Sequence, residues 1–244
     1  MFTGLILESA RVKDLIVLSA SGGARLEVES CLEEAKKLPL GASVAINGVC
    51  LTLVDKSASA DQLTTILAFE VSSETLARTN LGSLGAGTYA HVELPLALGA
   101  HMGGHLVSGH VDGIASVVQK EEVGDYLSVV MRLVEGARKK IAPFLVEKGS
   151  ICLDGVSLTV NKVIDDNGCT DFEIMLIPHT LSLTWPDGLF VGRKINVEAD
   201  LLAKHYVRFK EFGNIEQTVR SPGLDLSVAE NAVDNSQEST DAEF

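Results

Sequence analysis

The chain has 244 residues, 46% hydrophobic and 5% aromatic, with a net charge of −13. That length holds one or two domains with cores of their own, and no apolar run approaches the roughly 20 residues that cross a bilayer. The acidic balance argues against nucleic acid, which wants basic grooves. Residues 213–244 carry seven acids and one Arg, a net −6, so the remainder is only mildly acidic. The four cysteines, Cys31, Cys50, Cys152 and Cys169, show no CxxC spacing and read as reduced thiols in a cytoplasmic compartment.

In chain order, Met1 to Val12, Leu15 to Ser19 and Ala24 to Val28 read as strands, the last two joined at Ser21-Gly22-Gly23. Cys31 to Lys37 has helical composition. Asn47-Gly48 between apolar runs is a hairpin signal, because both central residues of a type I′ turn need positive φ. Leu63 to Val71 is a strand. Ser72-Ser73-Glu74-Thr75 starts a helix, with a hydroxyl to cap free amides and an acid in the first turn. Gly82 to Gly87 is a loop, and Tyr89 to Leu94 closes a unit of about six short strands, the pattern of a small β-barrel.

The order then recurs. Gly104 to Val118 and Leu127 to Leu133 read as strands, and Glu135 to Lys148 as helical with Pro143 at a start or break. The Asp154-Gly155 hairpin follows, then strands Thr170 to Ile177 and Lys194 to Ala199. From Asp200 to Phe212 the period turns helical, with Leu201, Leu202, His205, Tyr206 and Phe209 on one stripe. An apolar helix outside both repeats implies docking on another subunit. The acidic stretch after Gly213 is expected to be disordered.

Internal repetition organises the chain. Gly4 and Gly109, Thr75-Leu76 and Thr180-Leu181, Gly87 and Gly192, and Val92-Glu93 and Val197-Glu198 all stand 105 residues apart, and the hairpins 154 − 47 = 107. The expected division is an all-β pair of barrels, 1–97 and 98–199, then an oligomerisation helix 200–212 and a tail 213–244. The first unit begins at Met1, so no cleavable leader is expected. A two-residue turn fixes the register. Cys50 then faces Ala45, Thr52 faces Ser43, Ser157 faces Cys152 and Thr159 faces Ser150. Ser43, Cys50 and Thr52 share one face while Val44, Ile46, Leu51 and Leu53 take the other. Such small polar groups suit something flat lying against the backbone.

The motifs Met1-Phe2-Thr3-Gly4-Leu5, Asn47-Gly48-x-Cys50-Leu51-Thr52, Glu74-Thr75-Leu76-x-x-Thr79-Asn80-Leu81-Gly82, Gly103-Gly104-His105-x-x-Ser108-Gly109-His110-Val111-Asp112, Lys148-Gly149 and Asp154-Gly155-x-Ser157-Leu158-Thr159 resemble the riboflavin synthases over roughly residues 1–210. Leu94 to Met102, more apolar and without the usual Arg, and Trp185-Pro186-Asp187 depart from the family pattern. The resemblance implies Greek-key barrels, a homotrimer with sites between one subunit's first barrel and a neighbour's second, and no external cofactor. It also implies a dismutation of two 6,7-dimethyl-8-ribityllumazine molecules. One gives a four-carbon unit to the other, yielding riboflavin and a ribitylamino-pyrimidinedione. Lumazine synthase is a possible partner.

A reaction of like molecules needs unlike pockets. Cys50 stands where the second half has Ser157, and Pro95 where it has Asp200. The candidate catalytic residues are Cys50 as thiolate or water-positioning group, His105 and then His110 for proton transfer, with Ser43 and Asp200 in support. The expected substrate contacts are Gly4, Leu5, Ile6, Cys50, Leu51, Thr52, Glu70, Val71, Ser72, Ser73, Glu74 and Thr75 in the first half. Gly109, His110, Val111, Lys148, Ser157, Leu158, Thr159, Ile177, Pro178, His179, Thr180, Leu181 and Ser182 follow in the second. The plainer readings are a small buried Cys50, a structural histidine at 105 or 110 and a helix cap at Asp200. His91, His179 and His205 read as incidental. His101, His105 and His110 lack the Cys or acid that would complete a zinc set. The competing functions are a non-catalytic lumazine- or flavin-binding relative and a flavin oxidoreductase. The latter lacks the Gly-rich βαβ unit that binds a dinucleotide.

Overall fold

The computed structural model describes residues 1–18, 22–60, 62–166 and 168–212. In the first half, strands β1 (Glu8–Val17), β2 (Ala24–Ser30), β3 (Ser43–Ile46), β4 (Val49–Ala58), β5 (Thr65–Val71) and β6 (Tyr89–Glu93) close in the order β1-β2-β5-β4-β3-β6. The second half repeats this with β7 (Gly113–Val123), β8 (Tyr126–Leu133), β9 (Ser150–Leu153), β10 (Val156–Asp166), β11 (Cys169–Leu176) and β12 (Lys194–Ala199), in the equivalent order β7-β8-β11-β10-β9-β12. All pairings are antiparallel, and the non-sequential order is a Greek key.

The helices are α1 (Glu33–Lys37), α2 (Ser73–Arg78), α3 (Arg138–Ile141), α4 (Pro178–Leu183) and α5 (Leu201–Phe212). Ser72 caps α2 by accepting from the Thr75 amide at 3.1 Å. Asp200 caps α5 through the Leu202 amide at 2.8 Å. No helix among the described residues is long and apolar enough to cross a membrane.

Both turns behave as their sequence demands. Asn47 and Gly48 have φ of 46° and 73°, Asp154 and Gly155 of 46° and 86°. The registers are the expected ones: Ala45↔Cys50, Ser43↔Thr52, Cys152↔Ser157 and Ser150↔Thr159. Val44, Ile46, Leu51 and Leu53 fill the first core with Phe69 and Val92; Ile151, Leu153 and Val160 fill the second with Phe172 and Val197. Bulges after Val12, Leu53, Val117 and Val160 recur at equivalent places in the two barrels. The extra residue bends each strand round the closure.

The structure differs from expectation where chain crosses between the halves. The first strand runs unbroken from Glu8 to Val17, so Met1 to Leu7 is no part of it. Likewise β7 begins at Gly113, and residues 104–112 hold only a single bridge, Val107 to Phe2. Both stretches have strand composition, but their hydrogen bonds are divided between a glutamate of their own half and the backbone of the other half. The helix expected over Glu135 to Lys148 shrinks to α3 and one 3₁₀ turn, Ala142–Phe144, that takes up Pro143. The expected acidic tail lies outside the described residues.

Candidate active clefts at the barrel seam

Two arms cross between the barrels. In the first, Thr3 donates its amide and hydroxyl to Glu93 Oε1 at 2.7 and 2.9 Å, and the Gly4 amide donates to Oε2 at 3.0 Å. The Gly4 carbonyl then accepts from the Ser157 amide of the second barrel at 2.8 Å, and Ile6 packs against that barrel's core. The second arm mirrors it. Ser108 donates its amide and hydroxyl to Glu198 Oε1 at 2.7 and 2.6 Å, and the Gly109 amide to Oε2 at 2.9 Å. The Gly109 carbonyl accepts from the Cys50 amide at 2.8 Å, and Val111 packs on the first core. Phe2 and Val107 pair with each other, amide to carbonyl at 2.8 and 3.1 Å. They stand 105 residues apart, so a residue pairs with its own counterpart and a local two-fold axis passes between them.

Both arm glycines are required. Their φ values are +77° and +80°, where side chains are strained. A Cβ on Gly4 would lie 2.6 Å from Ser157 Cβ, and one on Gly109 2.6 Å from Cys50 Cβ. The turn at Gly109 also removes the geometry of a plain strand, in which His105 and His110 would point to opposite faces.

Beneath the arms the seam is polar and buried. Asn47, Asn80 and His91 of the first half meet Asp154, Trp185 and Asn196, their counterparts in the second. The His91 amide donates to Asn47 Oδ1 and the Asn196 amide to Asp154 Oδ1, both at 2.8 Å. The Asn80 amide donates to Asn196 Oδ1 at 2.7 Å, and the Trp185 amide to His91 Nε2 at 3.0 Å. Nε2 accepts, so Nδ1 carries the proton and donates to the Asp154 carbonyl at 2.9 Å. His91 is thus no incidental residue. Burial pulls its pKa down to about 4, and burial likewise pushes Asp154 up to about 6, against the donors Trp185 Nε1 and Asn80 Nδ2. The Trp185 ring stands edge-on to His91 at 5.0 Å, so the unusual Trp185-Pro186-Asp187 segment is absorbed by the seam.

The second arm borders a cleft of about 200 Å³, lined by Val49, Cys50, Glu74, Thr75, Arg78, Thr79, Gly109, His110 and Val111. Glu74 and Arg78 form an ion pair at 2.9 Å on its rim. At the corresponding place in the second half, Ser157 sits under Gly4, with His105 Nδ1 2.7 Å from its Oγ. The His105 amide donates to Thr3 O at 3.1 Å. Its ring is half-buried, and Nε2 has no partner among the described residues. Burial lowers the His105 pKa, with Asp200 pulling the other way. The neutral ring is therefore the favoured form at neutral pH and is able to accept a proton.

The expected residues thus divide between two places. His110, not His105, accompanies Cys50; His105 accompanies Ser157. The Cys50 cleft takes in Glu74, Thr75, Gly109, His110 and Val111 but not Ser43 or Thr52, which pair two residues farther along. Leu51 turns into the core, and Val71 is buried behind α2 while Glu70 and Ser73 are exposed. On the second side Leu5, Ile177, Pro178, His179, Ser182 and Thr159 are exposed, Thr180 is half-buried, and Leu158 and Leu181 pack on the core. Lys148 is exposed with Nζ 3.4 Å from Asn161 Oδ1. Among the described residues no three His, Cys, Asp or Glu converge to hold a metal ion. Glu93 and Glu198 were missed as site residues. Their one signal was that both follow a Val at the 105-residue offset.

A family model for the lumazine binding domain matches the chain twice, at residues 3–94 and 108–200. Riboflavin synthase of Brucella abortus is 37% identical over 217 residues, covering 87% of this chain and 99% of that one. Those of Bacillus subtilis and Mycobacterium tuberculosis are 34% and 37% identical, over 89% and 91% of this chain. In fold the chain is similar to LumP complexed with 6,7-dimethyl-8-(1'-D-ribityl) lumazine, with a TM-score of 0.67 and 21% identity over 82% of this chain and 99% of that chain. With both barrels matched and relatives similar along nearly their whole length, the chain belongs to the riboflavin synthase family.

Proposed function

We propose that this enzyme is a cofactor-independent transferase. It would dismutate two 6,7-dimethyl-8-ribityllumazine molecules, moving four carbons to give riboflavin and 5-amino-6-(D-ribitylamino)uracil. The observation that carries this reading is that the two equivalent places on the seam are unlike. Cys50 and His110 line a cleft at one, and their counterparts Ser157 and Leu5 stand at the other, with His105 on Ser157. Two copies of one molecule then meet different chemistry. We assign the acceptor to the Cys50 cleft and the donor to the place beside Ser157. His105, neutral and hydrogen-bonded to Ser157, would take the proton from the acidic methyl group, with Asp200 favouring the imidazolium formed. Cys50 would add to the adjacent ring carbon or hold the water that does, with His110 beside it. Holding both rings together supplies the proximity term.

Each chain's clefts would be completed by a neighbour in a homotrimer. The exposed Leu202, Tyr206, Phe209 and Phe212 of α5 support such docking. The cytoplasm and an association with lumazine synthase go with this reading. The test is to incubate the chain with the lumazine and follow flavin fluorescence and the pyrimidinedione in parallel. Equimolar products are expected, and Cys50→Ala is expected to lose about a hundredfold in rate. Binding without turnover would make the chain a non-catalytic lumazine- or flavin-binding relative.

A further inference from the structure

The geometry points to Glu198 as the positioning residue of the Cys50 cleft. The reasoning rests on the reading of that cleft as a substrate site. Glu198 is 2% exposed at the end of β12, and an isolated carboxylate so placed is costly to bury. It is held in place by three donors at 2.6 to 2.9 Å, all from Ser108 and Gly109. Charge-assisted bonds to consecutive amides are the strongest tether a side chain offers a turn. What the turn then touches is Cys50. The Gly109 carbonyl takes the Cys50 amide at 2.8 Å, and the Gly109 backbone lies so close that an added Cβ would stand 2.6 Å from Cys50 Cβ and 2.9 Å from its nitrogen. No slack separates carboxylate, turn and thiol. Glu198 itself is absent from the cleft wall, so it acts through Gly109.

A glutamine in its place has the same shape but the wrong hydrogens. If its amide nitrogen replaces Oε1 it opposes the Ser108 amide; if it replaces Oε2 it opposes the Gly109 amide. Either orientation leaves one backbone donor without an acceptor and frees the turn. Glu93 makes the same tether for Thr3 and Gly4, and its effect falls on Ser157, not Cys50. The two carboxylates therefore position Cys50 and Ser157 separately.

The test compares Glu198→Gln, Glu93→Gln and the milder Ser108→Ala in the full-length protein. Turnover of the lumazine is measured together with iodoacetamide alkylation of Cys50, read peptide by peptide by mass spectrometry. Glu198→Gln is expected to lower kcat about tenfold or more with a smaller change in KM, and to change the Cys50 alkylation rate several-fold. Glu93→Gln is expected to lower kcat while leaving Cys50 alkylation at the parent rate. Ser108→Ala, which removes one bond of three, is expected to shift both readouts of Glu198→Gln in the same direction by less; it keeps the question answerable if Glu198→Gln does not fold. Equal Cys50 alkylation in all variants, or equal effects of Glu93→Gln and Glu198→Gln on it, would overturn the assignment. A parent protein that makes no flavin would instead overturn the proposed function, and the alkylation comparison would still decide the tether.

Discussion

Replacing His91 by Asn, the residue the second half uses at the equivalent position, tests the seam directly. At pH 7 the change removes a ring that stands edge-on to Trp185 at 5.0 Å. It also removes the Nε2 acceptor of the Trp185 amide at 3.0 Å. An aromatic contact of about 1 kcal/mol and one unsatisfied buried donor of similar size give a loss of about 2 to 3 kcal/mol. The pH dependence is the sharper consequence. Free histidine takes up its proton near 6.5 and folded His91 only near 4, chiefly because it is buried. Below 6.5 the unfolded chain binds a proton that the fold refuses. The parent's His91 contribution is therefore intact above 6.5 and is lost as pH falls toward 4, at about 1.4 kcal/mol per unit. The Asn variant has no such loss, so its deficit against the parent shrinks by about 2 kcal/mol between pH 7 and pH 5. Urea unfolding measures it, followed by the fluorescence of Trp185, the one tryptophan of the chain and a member of the network. An unchanged deficit at pH 5 would mean that His91 titrates alike in the folded and unfolded chain, and the seam argument would fail.

Asp154→Asn should do the reverse. Asp154 is raised to about 6, so the fold gains from it as pH falls from 6 toward 3.8. Without it, stability drops more steeply than the parent's between pH 6 and 5, by about 1.4 kcal/mol per unit in the same unfolding assay. Gly109→Ala should cost about 3 kcal/mol or more and most of the activity, since the new methyl meets Cys50 Cβ at 2.6 Å. Gly136→Ala, also at positive φ but with nothing within 4 Å, should cost only about 1 kcal/mol in a thermal melt. Ser72→Ala removes the cap of α2 and should cost about 1 kcal/mol by the same melt.

The repeat and the turns were legible because they are local. Asn-Gly and Asp-Gly dictate positive φ within two residues, and that alone set the partners of Cys50 and Ser157 along β3, β4, β9 and β10. The Asp200 cap and the length of α5 followed from a change of period. Residues 2–6 and 104–112 misled because composition reports a preference for extended backbone but not which chain supplies the hydrogen bonds. Glu93 and Glu198 were hidden for a related reason. Strands β6 and β12 are buried almost throughout, so no alternation singles out a residue turned toward a distant arm. His91 looked incidental because its partners, Asp154 and Trp185, lie 63 and 94 residues away. The pairing of His105 with Ser157, and of His110 with Cys50, likewise depends on where the arms cross.

The crossed arms also impose an order on assembly. Cys50 meets its Gly109 across 109 − 50 = 59 residues, whereas Gly4 waits for Ser157 across 157 − 4 = 153. During synthesis the first barrel acquires its visiting segment as soon as the linker emerges. Thr3 and Gly4 reach Glu93 and Phe2 reaches Val107 early, but the Gly4 carbonyl and Ile6 find their partners only once the second barrel's hairpin has formed. The later of the two crossings is then the less local one, a slow kind of step, and until it is made Ile6 has no second core to pack against.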